Sequence, residues 1–366
     1  MPKKKTNIGK ARKPLSQLRK EIDALDDEIL KLLNKRAGLA LDVGDAKVKS
    51  KSNIYAPDRE RKIYSRLYKK NKGPLPKQAI RNVFGEIISA SRSLEKTLKV
   101  AFLGPVATFT HQACMQHFGL SAEFVPENDI SDVFDDVTRG KADFGVVPIE
   151  NSSEGVVSHT LDMFVSSDLK IYAEISLEVS LALLNKSGKI SDVLRVSSHP
   201  NPIAQSRGWL KDHLPGVPVY DVSSTAEAAR VAGKDSKSAA IASVAAANIY
   251  DLRVVEGKIE DNLNNFTRFL VIGKVAAKKS GADKTSVMFA IKDTAGALFK
   301  ILQPFANRGI NLTKVESRPV KEKAWEYIFF LDMEGHISDK NVKESIEELS
   351  GSYSFVKVLG SYPKSQ

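Results

Sequence analysis

A chain of 366 residues is too long for one ordinary hydrophobic core, so two or three domains are expected. Its 42% hydrophobic and 27% charged residues describe a soluble globular protein, and a single cysteine, Cys114, excludes a disulfide framework and any cysteine-built zinc site. The formal charge of +11 is mostly local: residues 1–20 hold eight Lys or Arg and no acid, leaving only +3 for the rest, so the charge does not argue for a nucleic-acid partner.

Residues 1–13 read as a basic disordered tail without the apolar segment of a signal peptide, and no apolar run is long enough to span a bilayer. A cytoplasmic protein with no membrane partner is expected. From Pro14 to about Lys49, Leu18, Ile22, Leu25, Ile29, Leu32, Leu33, Leu39 and Val43 recur at steps of three and four, the pattern of one long helix. Such a helix runs on the order of 50 Å, more than a small domain covers by itself, and so needs partners. Tyr55-Ala56-Pro57 breaks the pattern, and Pro57 opens a second helix, Asp58 to Lys70. After Asn71-Lys72-Gly73-Pro74 a third runs from about Pro76 to Lys96 on Ile80, Val83, Phe84, Ile87, Ile88 and Leu94. Residues 14–97 thus form an all-α helical module.

Polar residues intrude on its apolar stripes. Arg36 falls between Leu32/Leu33 and Leu39, and Lys47, close to three turns later, shares its face. Ser91 and Glu95 are an i, i+4 pair continuing the stripe of the third helix. Buried charges are rare unless paired or liganded, so these residues suit an anion pocket; splayed, solvated helix ends account for the same periodicity. Arg19 lies roughly 25 Å from Arg36 along a straight helix and on another face, so only a second subunit could bring it to the same ligand.

From Leu98 strands and helices alternate. Strands are expected at Lys99–Leu103, Phe124-Val125 and Ala142–Ile149, the last running into Glu150-Asn151-Ser152-Ser153-Glu154-Gly155. Strands at Leu177–Leu184 and Val193–Ser197 follow, then a helix containing Gln205 and Trp209, a helix around Thr225–Ala232, and a strand at Ala239–Ala242. An Asn-rich loop (Asn262, Asn264, Asn265) then enters Thr267-Arg268 and a return strand, Phe269–Ile272. The alternation predicts a largely parallel sheet with ligands at the strand ends. Residues 98–276 form a two-lobed α/β domain resembling the periplasmic-binding-protein-like folds, its site in the cleft. A hydroxyl beside a guanidinium, Thr267 and Arg268, suits an anionic substrate that must receive a proton; a Thr that caps the strand and an Arg in a surface ion pair account for the same residues, and on these residues alone the second reading is favoured. After a linker at 277–283, residues 284–366 read as a small α+β domain with the order βαββαβ, usually a regulatory or dimerising module.

The motifs LRKEIDALD, DRER, VPIENSSEG, SHPNPIAQ, NFTRF, GAL and ESRP stand in this order along the chain. In combination they resemble the bifunctional chorismate mutase–prephenate dehydratase family (the P-protein), with a C-terminal ACT domain. The resemblance implies a chorismate pocket of Arg19 from the partner subunit, Arg36, Lys47, Arg59, Glu60, Ser91 and Glu95. Lys47 and Glu95 are then the donors to the ether oxygen. It implies a prephenate site of Asn151, Ser152, Gln205, Thr267, Arg268 and Phe269. Thr267 would contact the leaving hydroxyl, and Arg268 would hold the side-chain carboxylate or else lock the loop. It implies phenylalanine as effector at Gly296, Ala297, Leu298, Glu316, Ser317 and Arg318, between two ACT domains. A homodimer or higher homo-oligomer and neither cofactor nor metal are expected.

The sequence departs from the family pattern in four places. Ala107 stands where Gly is usual, which argues against a backbone conformation there that only Gly can adopt. Ser206 replaces a common Cys, and Ala56 stands where some members have Asp. Glu95 stands where some have Gln, so to donate to the ether oxygen it must be protonated, its pKa raised by burial.

Overall fold

A computed structural model of the chain describes residues 13–50, 55–262, 264–292, 294–319, 326–353 and 355–365. The basic tail expected over 1–13 lies, apart from Lys13, outside the described residues.

The helical module consists of α1 (Leu15–Ser50), α2 (Pro57–Lys70) and α3 (Lys77–Glu95). Pro57 opens α2, with Asp58 and Glu60 in its first turn and Lys69 and Lys70 in its last, as the helix dipole favours. Helix α1 spans 36 residues, about 54 Å at 1.5 Å per residue. Its apolar stripe is uncovered: Leu18, Ile22, Leu25, Ile29, Leu32 and Leu39 are 42–65% exposed. Among the described residues no core cluster is built from these three helices. A contiguous apolar surface of this kind marks an interaction face.

The first lobe of the next domain holds β1 (Lys99–Leu103), α4 (Phe109–Phe118), β2 (Glu123–Glu127), α5 (Ile130–Arg139), β3 (Phe144–Asn151), β4 (Gly155–Val156), α6 (Ser158–Ser166) and β5 (Lys170–Glu178). The second holds β6 (Ala182–Asn185), β7 (Arg195–Ser198), α7 (Pro200–Gln205), α8 (Arg207–His213), β8 (Val219–Asp221), α9 (Thr225–Ala232), β9 (Ser238–Ala242), α10 (Val244–Ile249) and β10 (Arg253–Gly257). The chain then returns to the first lobe as β11 (Phe266–Gly273). Sheet order is β2-β1-β3-β11-β5 in the first lobe, with β4 on β3, and β10-β6-β9-β7-β8 in the second.

Three expectations need correction. The sheets are mixed, because β11 runs antiparallel to both β3 and β5, and β6 is antiparallel to β9 and β10. The strand expected over Leu177–Leu184 is the end of β5 and the start of β6, in different sheets. A continuous apolar run does not reveal where the chain changes lobes. Ala107 adopts the left-handed region, with φ 75°, despite its side chain. It is 2% exposed and packs in the alanine-rich core of the second lobe, so tertiary contacts hold a conformation that a lone alanine disfavours.

The C-terminal domain comprises β12 (Asp283–Lys292), α11 (Ala297–Asn307), β13 (Leu312–Pro319), β14 (Glu326–Glu334), α12 (Lys340–Ser352) and β15 (Val356–Pro363), the βαββαβ order expected. Its sheet, ordered β13-β14-β12-β15, packs one face under the two helices and the other on the first lobe, while alternate residues of the edge strand β13 stay exposed. Val287 and Phe289 pack with Ile301, Phe305 and Ile346 beneath the two helices. Met288, Phe330, Leu359 and Tyr362 join the core of the first lobe. The period-two alternation of a strand separates Met288 from its neighbours in this way. The expected linker is pinned: Arg61 of α2 donates to Ser280 Oγ at 3.1 Å and to the Ala282 carbonyl at 2.8 Å.

Candidate active sites

In the helical module α1 lies against α3 where both carry polar residues. Arg36 Nη1 donates to Ser91 Oγ and, at 3.3 Å, to the Ile87 carbonyl, while Ser91 Oγ donates to that carbonyl at 2.7 Å. Burial lowers the Arg36 pKa from its ordinary value. Three turns along, Lys47 Nζ donates to Glu95 Oε2 at 2.9 Å, and the Glu95 side chain is only 8% exposed. Gly44 permits this approach, since a Cβ there would meet Glu95 Cγ at 2.9 Å. Four of the expected pocket residues are thus brought together on two facing helices.

The other three are placed differently. Glu60 is held by Arg92 Nη1 at 2.7 Å, close enough to Lys47 to feel its charge. Burial raises its carboxyl above the ordinary range, and Arg92 and Arg81 pull it part of the way back. Arg59 lies on the exposed side of α2, and Arg19 is exposed on α1, 17 residues before Arg36. One chain does not bring Arg19 to the pocket. Beside Glu60 a cleft of about 280 Å³ opens at the junction of all three parts, lined among others by Arg92, His117, Glu174 and Lys364.

The second constellation lies where the loop after β3 meets the start of β11. Asn151 Nδ2 donates to Thr267 Oγ1 at 2.8 Å and to Asn265 Oδ1 at 3.1 Å. Asn265 Nδ2 donates across the lobes to Gln205 Oε1 at 2.9 Å, and Gln205 Nε2 donates to Glu154 Oε1 at 3.2 Å. The Glu154 backbone N–H, at 3.2 Å, returns to Asn151 Oδ1, so the network closes on itself. Ser152 Oγ fixes the entering loop, donating to the Asn264 carbonyl at 3.2 Å and accepting from Phe266 N at 3.0 Å. Burial raises the Glu154 carboxyl above its ordinary value, with His199 opposing. Asn201 also donates to that carboxylate. The residue roles missed in the sequence are those of Asn265, Glu154 and Asn201; the clue was the density of short polar side chains in the two loops.

Two expected members of this site are elsewhere. Arg268 turns away from Thr267, because neighbours on a strand face opposite sides of a sheet. Its guanidinium meets Glu174 at 2.8 Å, Asp332 at 2.7 Å and the Tyr362 hydroxyl at 3.1 Å. Burial penalises this cation, and the Tyr362, Asp332 and Glu174 oxygens more than offset it, so its pKa stands above the ordinary value. Phe269 is 1% exposed and packs in the core of the first lobe. Of the two roles expected for Arg268, these contacts fit the locking of structure and not the holding of a substrate carboxylate.

In the C-terminal domain Gly296, with φ 77°, precedes the first turn of α11, where Ala297 and Leu298 lie. Leu298 and Phe299 are 38% and 69% exposed. Glu316, Ser317 and Arg318 lie on β13, an edge strand, and Arg318 Nη2 stands 3.4 Å from Asp162 of α6. Among the described residues no cluster of His, Cys, Asp and Glu suits a metal ion, and no helix is long and apolar enough to cross a membrane.

Known proteins match the three parts of the chain in order. Family models match in series: chorismate mutase type II over residues 18–96, prephenate dehydratase over 100–277 and the ACT domain over 285–351. The bifunctional chorismate mutase/prephenate dehydratase of Aquifex aeolicus (strain VF5) is 50% identical over 354 residues, covering 96% of this chain and 98% of the relative. That of Escherichia coli (strain K12) is 33% identical over 371 residues, covering 96% of each. The crystal structure of prephenate dehydratase from Arthrobacter aurescens in complex with L-Phe superposes with a TM-score of 0.68 at 35% identity, covering 73% of this chain and 90% of that one.

Proposed function

The chain belongs to the bifunctional chorismate mutase/prephenate dehydratase family, and from that premise we propose how its residues divide the two reactions. The protein rearranges chorismate to prephenate and converts prephenate to phenylpyruvate in phenylalanine biosynthesis, under feedback by phenylalanine.

The first reaction is a pericyclic shift with no covalent intermediate, so catalysis requires a compact conformer and donors where negative charge builds on the ether oxygen. Arg36 and Ser91 hold carboxylate and ring hydroxyl, while Lys47 and Glu95 face the ether oxygen. Arg59 and Glu60 border the pocket. The partner's copy of Arg19 completes it when two α1 helices cover each other's apolar stripes in a homodimer. The meeting of Arg36 with Ser91 and of Lys47 with Glu95 supports this reading.

In the second reaction the ring hydroxyl leaves as water and the ring carboxylate as carbon dioxide. The electron pair of the broken C–C bond completes the aromatic ring, and one proton is consumed. The carrying observation is the 2.8 Å bond from Asn151 to Thr267. Because Thr267 Oγ1 accepts there, its own O–H is directed elsewhere, toward a leaving hydroxyl. A threonine is a weak acid, so Thr267 orients or relays the proton. Ser152 and Gln205 position the loops around it. Phenylalanine binds between two C-terminal domains at Gly296–Leu298 and Glu316–Arg318, where the first turn of α11 receives its carboxylate. The enzyme works in the cytoplasm.

Chorismate supplied to the protein, followed for ultraviolet appearance of phenylpyruvate, tests the pair of activities. Thr267→Ala should stop phenylpyruvate while prephenate accumulates, and Lys47→Ala should spare only the dehydration of added prephenate. Loss of both activities from either folded variant would overturn the two-site reading.

A further inference from the structure

We propose that Arg268 and Glu150 are positioning residues through which the C-terminal sheet holds the dehydratase site, and that phenylalanine acts on the reaction by way of these two side chains. The proposal rests on the reading above, with dehydration at Thr267 and Asn151 and phenylalanine at the C-terminal domain.

The argument begins with register. In the antiparallel ladder of β3 and β11, Thr267 pairs with Asn151 and Arg268 with Glu150. Successive residues of a strand face opposite sides, so one rung serves the cleft and the next serves whatever packs behind it. The front rung is closed by the Asn151–Thr267 bond, 2.8 Å. The back rung meets the C-terminal sheet.

Two grips are made there. Arg268 lies 2.7 Å from Asp332 of β14 and 3.1 Å from the Tyr362 hydroxyl of β15, while Glu174 of β5 takes its Nε at 2.8 Å. Glu174 also accepts from Lys284 of β12 at 2.8 Å. Two cations and two carboxylates thus interlock, one of each sign from either domain, with side chains only 5–18% exposed. The second grip is Lys314 of β13, whose Nζ donates to Glu150 Oε2 at 2.9 Å. Lys314 stands two residues before Glu316-Ser317-Arg318, the proposed effector segment.

Every nitrogen of the Arg268 fork has a partner on this back face, away from the cleft. The pairs around Arg268 are buried, and buried charge pairs do not slide by small steps, because an unpaired charge in a dry interface is costly; the Lys314–Glu150 pair is wetter, its carboxylate side chain 40% exposed. A shift of β13 and β14 on effector binding therefore either drags the back rung or breaks from it. Arg268 and Glu150 are covalent neighbours of Thr267 and Asn151, so the front rung follows. Packed interfaces of this kind respond as switches.

The test uses the full chain with added prephenate, with and without saturating phenylalanine. Equilibrium dialysis measures phenylalanine binding, and turnover of chorismate to prephenate reports the fold. Asp332→Asn and Lys314→Met each release one grip while keeping side-chain size. Both should bind phenylalanine within about threefold of the parent and lose at least about tenfold of its effect on dehydration. Arg268→Gln should lose at least about tenfold in kcat with KM nearly unchanged, the split expected of positioning rather than binding. A raised KM at unchanged kcat would make Arg268 a substrate ligand and overturn the first half. Parent-like inhibition in both Asp332→Asn and Lys314→Met would overturn the second. If Asp332→Asn fails to fold, Tyr362→Phe, which removes only a hydroxyl from the same grip, is judged by the same criteria. A parent inactive on prephenate, or blind to phenylalanine, would defeat the underlying reading instead.

Discussion

Lys47 and Glu95, 48 residues apart, meet at 2.9 Å where α1 and α3 run together, and they are the two side chains assigned to one ether oxygen. A carboxylate accepts from lysine but gives nothing to a substrate oxygen. Glu95→Gln keeps an acceptor for Lys47 and adds an N–H donor at every pH. The ratio of variant to parent mutase kcat/KM should therefore climb as pH rises, while dehydration of added prephenate keeps one profile in both. A flat ratio would show that Glu95 does not need its proton.

Gly44→Ala tests the same contact from the other side. The new Cβ would stand 2.9 Å from Glu95 Cγ, closer than carbon atoms pack. Displacing Glu95 should cost mutase turnover about tenfold, roughly 1.4 kcal/mol in the barrier. Dehydratase activity should be unaffected.

The exposed stripe of α1 and the remoteness of Arg19 predict pockets shared between subunits. An Arg19→Ala chain mixed with an Arg36→Ala chain should regain mutase activity, because one of the two pockets in a heterodimer recovers both arginines. Heterodimers that form and stay inactive would refute the arrangement.

A pH effect on stability is expected from His117. Its Nε2 shares a hydrogen bond with the Tyr55 hydroxyl inside an aromatic cluster with Phe118, at the contact between helical module and first lobe. Burial, with Arg92 and Arg81 adding to it, lowers its pKa to about 3. A base depressed in the folded state binds more protons when unfolded, so stability is present above the ordinary value near 6.5 and is lost as pH falls from there toward about 3. The loss approaches roughly 1.4 kcal/mol per pH unit within that window. His117→Gln, compared with the parent by urea unfolding from about pH 7 to 5, should lose stability less steeply on acidification. Equal slopes would show that another group dominates.

Much of this was legible in advance. The three- and four-residue repeat from Leu18 to Val43 placed α1 because a helix periodicity sustained over many turns has no rival. Thr267 stood out through its polar loop and the motif around it. Arg268 admitted two roles because sequence proximity to Thr267 suggests a shared face, whereas the pleat separates them. Glu174 and Asp332 carried a signal that went unused: each follows an apolar run within its strand, IYAEISL and FFLD, where a buried acid requires a partner. The partners lie 94 and 64 residues away from them at Arg268, a pairing that only the fold supplies. Ala107 misled for the opposite reason, since local preference was overridden by packing.

A second copy can approach the C-terminal sheet along the open edge of β13 or over its helices. If α1 also self-associates as proposed, each chain carries two self-complementary patches and hence two twofold axes. Were those axes neither coincident nor intersecting in a closed point group, chains would add without limit and form fibres. The angle at which Asp332 and Lys314 seat the sheet on the first lobe would then set the stoichiometry of the particle as well as its chemistry: a pair when the axes coincide, a four-membered ring of dihedral symmetry when they cross at right angles.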